Sequence, residues 1–311
     1  MTEQKLRLKQ INDAKVRPIR PIADPDPRPV KGADFFPECN ASIFICASRG
    51  SGKTTVVHQA IRECIGRNTK VRIFCGNLDK DKSWLAMQKW LLDRGLDYEG
   101  YSSIIDPDSG ENKLEELVYE VQDRAKEERK KLLDDPENPG RAGARDASSS
   151  ELEKKSLMKT LMERMFGKEG QASHASDRQD DEEGNSKTPK EKYRTPEYIV
   201  VFDDLSDEIR NSGLVAKLLK NGRHFCKIII SSQYFKDLKP EARNNIDYFI
   251  LFKGLDKQVL TDVYRAAKLS VDFDTFLRIY HDATSERYNF LYIDSRENKF
   301  RRNFTHEYMI E

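Results

Sequence analysis

An apolar run, Ser42-Ile43-Phe44-Ile45-Cys46, passes directly into Ala47-Ser48-Arg49-Gly50-Ser51-Gly52-Lys53-Thr54 and then into helical spacing as far as about Ile65. A buried strand that must turn through glycines into a helix leaves few folds open. The glycines let the backbone curl until successive N–H groups converge, and the helix adds its positive N-terminal end. That cradle suits phosphate oxygens. Lys53 is expected to reach the β- and γ-phosphates of a nucleoside triphosphate, and the Thr54 hydroxyl to hold Mg²⁺, with Thr55 counted among the loop's contacts. Ala47 stands where the first glycine of such a loop is usual, and alanine still turns tightly.

The rest of the chain repeats the alternation of strand and helix. Apolar strands are expected at Val71–Cys75, Tyr198–Phe202, Lys227–Ser232 and Asp247–Lys253. Helices are expected around Trp84–Leu92, 214–219, 256–268 and 273–281, and Arg287–Asp294 with Lys299–Thr305 reads as a closing hairpin. Continuous apolar strands between helices predict a mainly parallel sheet covered on both faces, an α/β fold. Residues 1–36 carry five prolines between Pro18 and Pro29 and few large apolar side chains, so they read as a disordered basic arm. From 37 to 311 a single phosphate-loop domain is expected, interrupted at about 106–195. That interruption has one amphipathic helix (Leu114, Leu117, Val118, Val121, Ala125), a Pro/Gly/Ser-rich break and a second stripe from Leu157 to Met165. It ends in a low-complexity stretch with the acidic run Asp180–Glu183.

Charge narrows the function. Lys and Arg number 54 against 53 Asp and Glu, so any contact with nucleic acid must come from a local patch rather than bulk positive charge. No run of about 18 apolar residues is present to span a membrane, and the N-terminus has no apolar signal core. The five cysteines show no metal spacing. Cys46, Cys75 and Cys226 fall in or beside strands as free thiols of a reducing compartment.

Asp203-Asp204 follows four apolar residues at the carboxyl end of a strand. Asp203 is assigned to Mg²⁺ and Asp204 to orienting and deprotonating the attacking water, with exchange of the two roles left open. Gln233 ends the next apolar strand and is placed to sense the γ-phosphate. Arg223, in Asn221-Gly222-Arg223-His224, precedes that strand and belongs at the opposite edge of the sheet. It is therefore expected to act on a neighbouring subunit's phosphate, with Arg243 the rival.

Together these pieces resemble the DNA-packaging ATPases of nucleocytoplasmic large DNA viruses, the poxvirus-type branch of the FtsK–HerA superfamily. The resemblance rests on Ser48–Thr54, Val201-Phe202-Asp203-Asp204, and Asn221-Gly222-Arg223-His224 followed by Ile228–Gln233. Tyr234-Phe235 and Asn244–Phe249 extend it. It implies an additional-strand P-loop fold with the Gln233 strand between the first strand and the Asp203 strand. It also implies a homo-oligomeric ring that uses ATP and Mg²⁺ to drive viral double-stranded DNA into a capsid, with capsid or portal-vertex partners, in the host cytoplasm or on the virion. A helicase built from the same motor parts and a non-hydrolysing nucleotide-gated scaffold are the alternatives. A GTPase is disfavoured, because no Asn-Lys-x-Asp motif is present.

Overall fold

A computed structural model describes residues 26–134 and 191–310, with side chains of 132–134 left aside. Apart from 128–134, these residues form one compact unit. The break at 134–150, the Leu157–Met165 stripe, the acidic run and residues 1–25 of the arm lie outside the described residues.

The strands are β1 (Ala41–Cys46), β2 (Lys70–Cys75), β3 (Tyr98–Tyr101), β4 (Tyr198–Asp203), β5 (Cys226–Ser232), β6 (Tyr248–Phe252), β7 (Phe290–Asp294), β8 (Lys299–Arg302) and β9 (His306–Glu307). They make one sheet in the order β3-β2-β4-β5-β1-β6-β7-β8-β9. The pairs from β3 through β6 are parallel. Those from β6 through β9 are antiparallel. The mainly parallel sheet and the C-terminal hairpin are as the sequence predicts, and β5 lies between β1 and β4.

Every residue of β1, β4, β5 and β6 is buried, which requires cover on both faces. Because side chains alternate along a strand, each strand feeds two cores. Ile43 and Ile45 of β1 and Val201 of β4 pack with α1 (Lys53–Cys64) and α2 (Lys82–Leu92) on one face. On the other, Phe44, Phe202 and Ile230 meet α3 (Lys113–Asp134), α5 (Leu214–Asn221), α7 (Lys257–Ala267) and α8 (Phe273–Ala283). Two short helices, α4 (Ser206–Asn211) and α6 (Pro240–Arg243), complete the described set.

Two boundaries move. The interruption expected at about 106–195 begins later, because Leu114, Leu117, Val118 and Val121 of α3 are all buried in the core. At its other end, Arg194 pairs with Val30 in a parallel bridge. The arm expected over 1–36 likewise ends sooner. Phe36 is fully buried beside Tyr248, Tyr292 and Phe304. Lys227, buried in β5, donates to the Glu38 carbonyl at 2.8 Å and lies 5.1 Å from the centre of the Phe36 ring. A buried ammonium is tolerated only where it has such partners, and here they tie residues 36–38 to the sheet.

Candidate functional site

Parallel register brings the carboxyl ends of three strands to one edge, where ligands of open α/β sheets bind. Cys46 of β1 pairs with Ser232 of β5, and Asp203 of β4 with Ser231 of β5. The Ala47 N–H then donates to the Ser232 carbonyl at 3.3 Å, holding the start of the glycine loop against β5. Gly50 and Gly52 adopt φ of +75° and +98°, the left-handed region open to glycine at little cost. These turns deliver Lys53 to the first position of α1 with its side chain almost wholly buried.

Lys53 Nζ stands 3.3 Å from Asp203 Oδ1 and pairs more closely with Asp204 Oδ1. Asp204 itself has φ +55°, a left-handed turn that aspartate accepts more readily than most residues. This turn splits the two carboxylates: the Asp203 side chain is 2 % exposed and that of Asp204 36 %. Beneath them, Trp84 Nε1 of α2 donates to Asp203 Oδ2 at 3.0 Å. His58 of α1 packs edge-on against the Trp84 ring, with centres 4.7 Å apart.

The electrostatics follow from that burial. Desolvation alone would favour a neutral Lys53, yet the Asp203 and Asp204 carboxylates hold its ammonium above the ordinary lysine value. Burial raises Asp203 above the ordinary aspartate value, with Lys53 only partly offsetting it. Burial, with help from Arg62, pulls His58 down to about 4, so it is neutral near pH 7. All five cysteines are unpaired and buried. Burial pushes the Cys46 and Cys75 thiols up to about 12, which leaves them protonated and poor nucleophiles.

Arg49, Gly50, Gly52, Lys53, Thr54 and Thr55 line a cleft of about 990 Å³ together with Asp204 and Gln233. Ala47 is fully buried at the base of the loop, and the Ser51 hydroxyl donates to the Ser48 carbonyl at 2.7 Å. Asp203 Oδ1 is buried and faces the Lys53 ammonium at 3.3 Å, with no further hydrogen-bond donor upon it. A buried carboxylate oxygen held only by the Lys53 ammonium, beside the Thr54 loop, is the kind of oxygen ligand a hydrated Mg²⁺ takes, so the residues present fit that ion.

Arg223 lies elsewhere. It sits in a 3₁₀ turn (Gly222–His224) before β5, and so is separated from the glycine loop by the length of that strand, on the order of 20 Å. Arg223 is exposed and donates through Nε to His224 Nε2 at 3.2 Å. Arg243 is committed within its own unit, donating to the Leu238 carbonyl at 2.8 Å and lying over the Phe235 ring. Sequence reading missed Trp84, treated only as helix packing, and Tyr288, which lines the same cleft from the turn before β7. For Trp84 a signal existed: a buried indole N–H needs an acceptor.

The strand order and the glycine loop give the P-loop fold of the additional-strand class. Residues 175–298, the stretch that contains β4, β5, β6 and β7, match the family described as Poxvirus A32 protein. Among curated proteins, the uncharacterized protein 088R of Invertebrate iridescent virus 3 is 30% identical over 111 residues, covering 34% of this chain and 42% of that one. The uncharacterized protein 075L of Invertebrate iridescent virus 6 is 30% identical over 104 residues, 32% of this chain and 40% of that one. The chain thus spans about two fifths of the length of these curated relatives. Among solved structures, the genome packaging NTPase B204 of Sulfolobus turreted icosahedral virus 2, in complex with AMP, aligns at TM-score 0.43. Its identity is 10%, covering 88% of this chain and 100% of that one. The pCW3 conjugation coupling protein TcpA aligns at TM-score 0.43 with 14% identity, covering 81% of this chain and 57% of that one.

Proposed function

We propose that this chain hydrolyses ATP in the Lys53 cleft and, as a homo-oligomer in the host cytoplasm, couples hydrolysis to moving viral double-stranded DNA into a capsid. The observation that carries the reading is the sharing of Lys53 Nζ between Asp203 and Asp204 at the common edge of β1, β4 and β5. A triphosphate in the glycine loop competes with those carboxylates for the same ammonium. Lys53 then neutralises charge on the β- and γ-phosphates, and Asp204, half-exposed and released from its ion pair, accepts a proton from water. Thr54 and Asp203 are the residues that would hold Mg²⁺, which when bound spreads positive charge across the same phosphates. Gln233, exposed beyond β5, borders this water position. The family match over residues 175–298 supports the DNA-packaging role.

Arg223, exposed and remote from its own glycine loop, is the group we assign to a neighbouring subunit's γ-phosphate. The test is the steady-state ATPase rate of size-fractionated protein with and without double-stranded DNA. Hydrolysis confined to an oligomeric fraction and stimulated by DNA is expected. Hydrolysis absent at every oligomeric state would reject the proposal in favour of a scaffold.

A further inference from the structure

A second cleft, of about 1140 Å³, opens beside the phosphate cleft and shares Gly52, Thr55 and Tyr288 with it. It lies between α1 and the β7–β8 hairpin, on the β6 side of β1. We propose that this cleft seats the nucleoside of the substrate, with a purine base lying against Phe304 and Tyr288. The inference rests on the triphosphate reading of the Lys53 loop.

Direction comes from the sheet. Asp203, Asp204 and Gln233, which mark the γ end, stand on the β4–β5 side of β1. A triphosphate laid across the loop from that side leaves its α end toward β6, where the second cleft begins. The lining then suits an aromatic ring. Phe304 is half-buried, with Phe35 at 4.3 Å and Phe290 at 5.1 Å between ring centres, so its position is fixed before any ligand arrives. Thr55 and Gln59, exposed one helical turn apart on α1, bring polar groups to the same wall. Apolar walls with a few placed polar groups are the usual make-up of a small-molecule site.

Tyr288 is the second, independent observation. It is 56 % exposed and holds φ at +68°, a strained conformation for an aromatic residue. A side chain added at Gly52 would meet Tyr288 Cδ1 at 3.4 Å, so its ring stands directly over the glycine loop. The Arg287 guanidinium lies 4.7 Å from that ring's centre. Nothing in the core is gained by this exposed, strained placement, whereas a base at the mouth of the loop would cover it.

Binding of ATP and of inorganic tripolyphosphate by the full chain separates the two readings. Wild type should bind ATP much more tightly than tripolyphosphate. Tyr288→Ala and Phe304→Ala should each weaken ATP by about tenfold, the scale of one lost base–aromatic contact, and leave tripolyphosphate unchanged. Tyr288→Phe should restore ATP binding. Because Phe304 also packs in the core, the exposed Tyr288 is the decisive variant. Equal affinity of wild type for both probes, or equal weakening of both by Tyr288→Ala, overturns the nucleoside seat while the phosphate site stands. Failure of wild type to bind either probe removes the triphosphate reading and this one with it.

Discussion

Trp84 Nε1 donates to Asp203 Oδ2 at 3.0 Å, from a helix 119 residues earlier in the chain. That bond fixes the carboxylate so that its other oxygen faces Lys53. Replacing Trp84 by Phe keeps most of the packing and leaves a buried carboxylate oxygen unpaired, a cost of about 1–3 kcal/mol. Trp84→Phe is expected to melt several degrees lower and to need about tenfold more Mg²⁺ for half-maximal turnover, by the same unpaired-oxygen cost. An unchanged Mg²⁺ titration would make the indole a packing residue only.

Asp203→Asn and Asp204→Asn should separate. The first should weaken Mg²⁺-dependent nucleotide binding, and the second should slow single-turnover hydrolysis by roughly 10²–10⁴-fold with little loss of binding, as expected for a lost general base. Reversed phenotypes would exchange the two roles.

Lys53→Ala should abolish turnover and also expose the cost of an uncompensated buried carboxylate, about 3–5 kcal/mol. Asp203 already has a folded pKa above the ordinary value, and without Lys53 it rises further. A raised carboxyl favours folding at low pH and loses that advantage as pH rises. The melting temperature deficit of Lys53→Ala against wild type should therefore be larger at pH 8 than at pH 5; an equal deficit would mean that Asp203 does not titrate with Lys53.

His58 supplies the opposite dependence. Its folded pKa of about 4 lies below the usual 6.5, so its contribution to stability is complete above pH 6.5 and is lost as pH falls toward 4. His58→Phe, which keeps a ring against Trp84, should flatten that part of the melting temperature profile. A profile parallel to wild type would assign the acid sensitivity to carboxylates instead.

Mixing tests Arg223. Arg223→Ala keeps the glycine loop, and Lys53→Ala keeps the arginine. Each alone should be nearly inactive, and mixtures should recover activity at mixed interfaces. A mixture as inactive as its parts, or an active Arg223→Ala, leaves Arg223 as a surface residue.

Most of the sheet was legible because buried parallel strands announce themselves as unbroken apolar runs, as in Ile199-Val200-Val201-Phe202. The glycine loop and Asp203-Asp204 were legible because each sits at the end of such a run. Partnerships across long separations left no local trace. The stripe on α3 showed that a face would be buried but not against what, and its many charges suggested an excursion. Phe36, in the isolated pair Phe35-Phe36 between a proline-rich stretch and Pro37, has no period to read. Tyr288 gains its position only when β7 pairs with β6 and swings the preceding turn over Gly52.

The strand order also dictates a schedule for synthesis. β1 emerges first, yet its neighbours are β5 and β6, with Ala41 pairing Lys227. At about 5–20 residues per second, roughly 10–40 s pass before the ribosome has made that partner. Throughout the interval Ile43-Phe44-Ile45 has neither lateral strand, and it has the makings of a sticky segment. Nascent chains of this protein are accordingly candidates for chaperone capture before β5 arrives, and truncated products ending ahead of β5 should be found in the insoluble fraction.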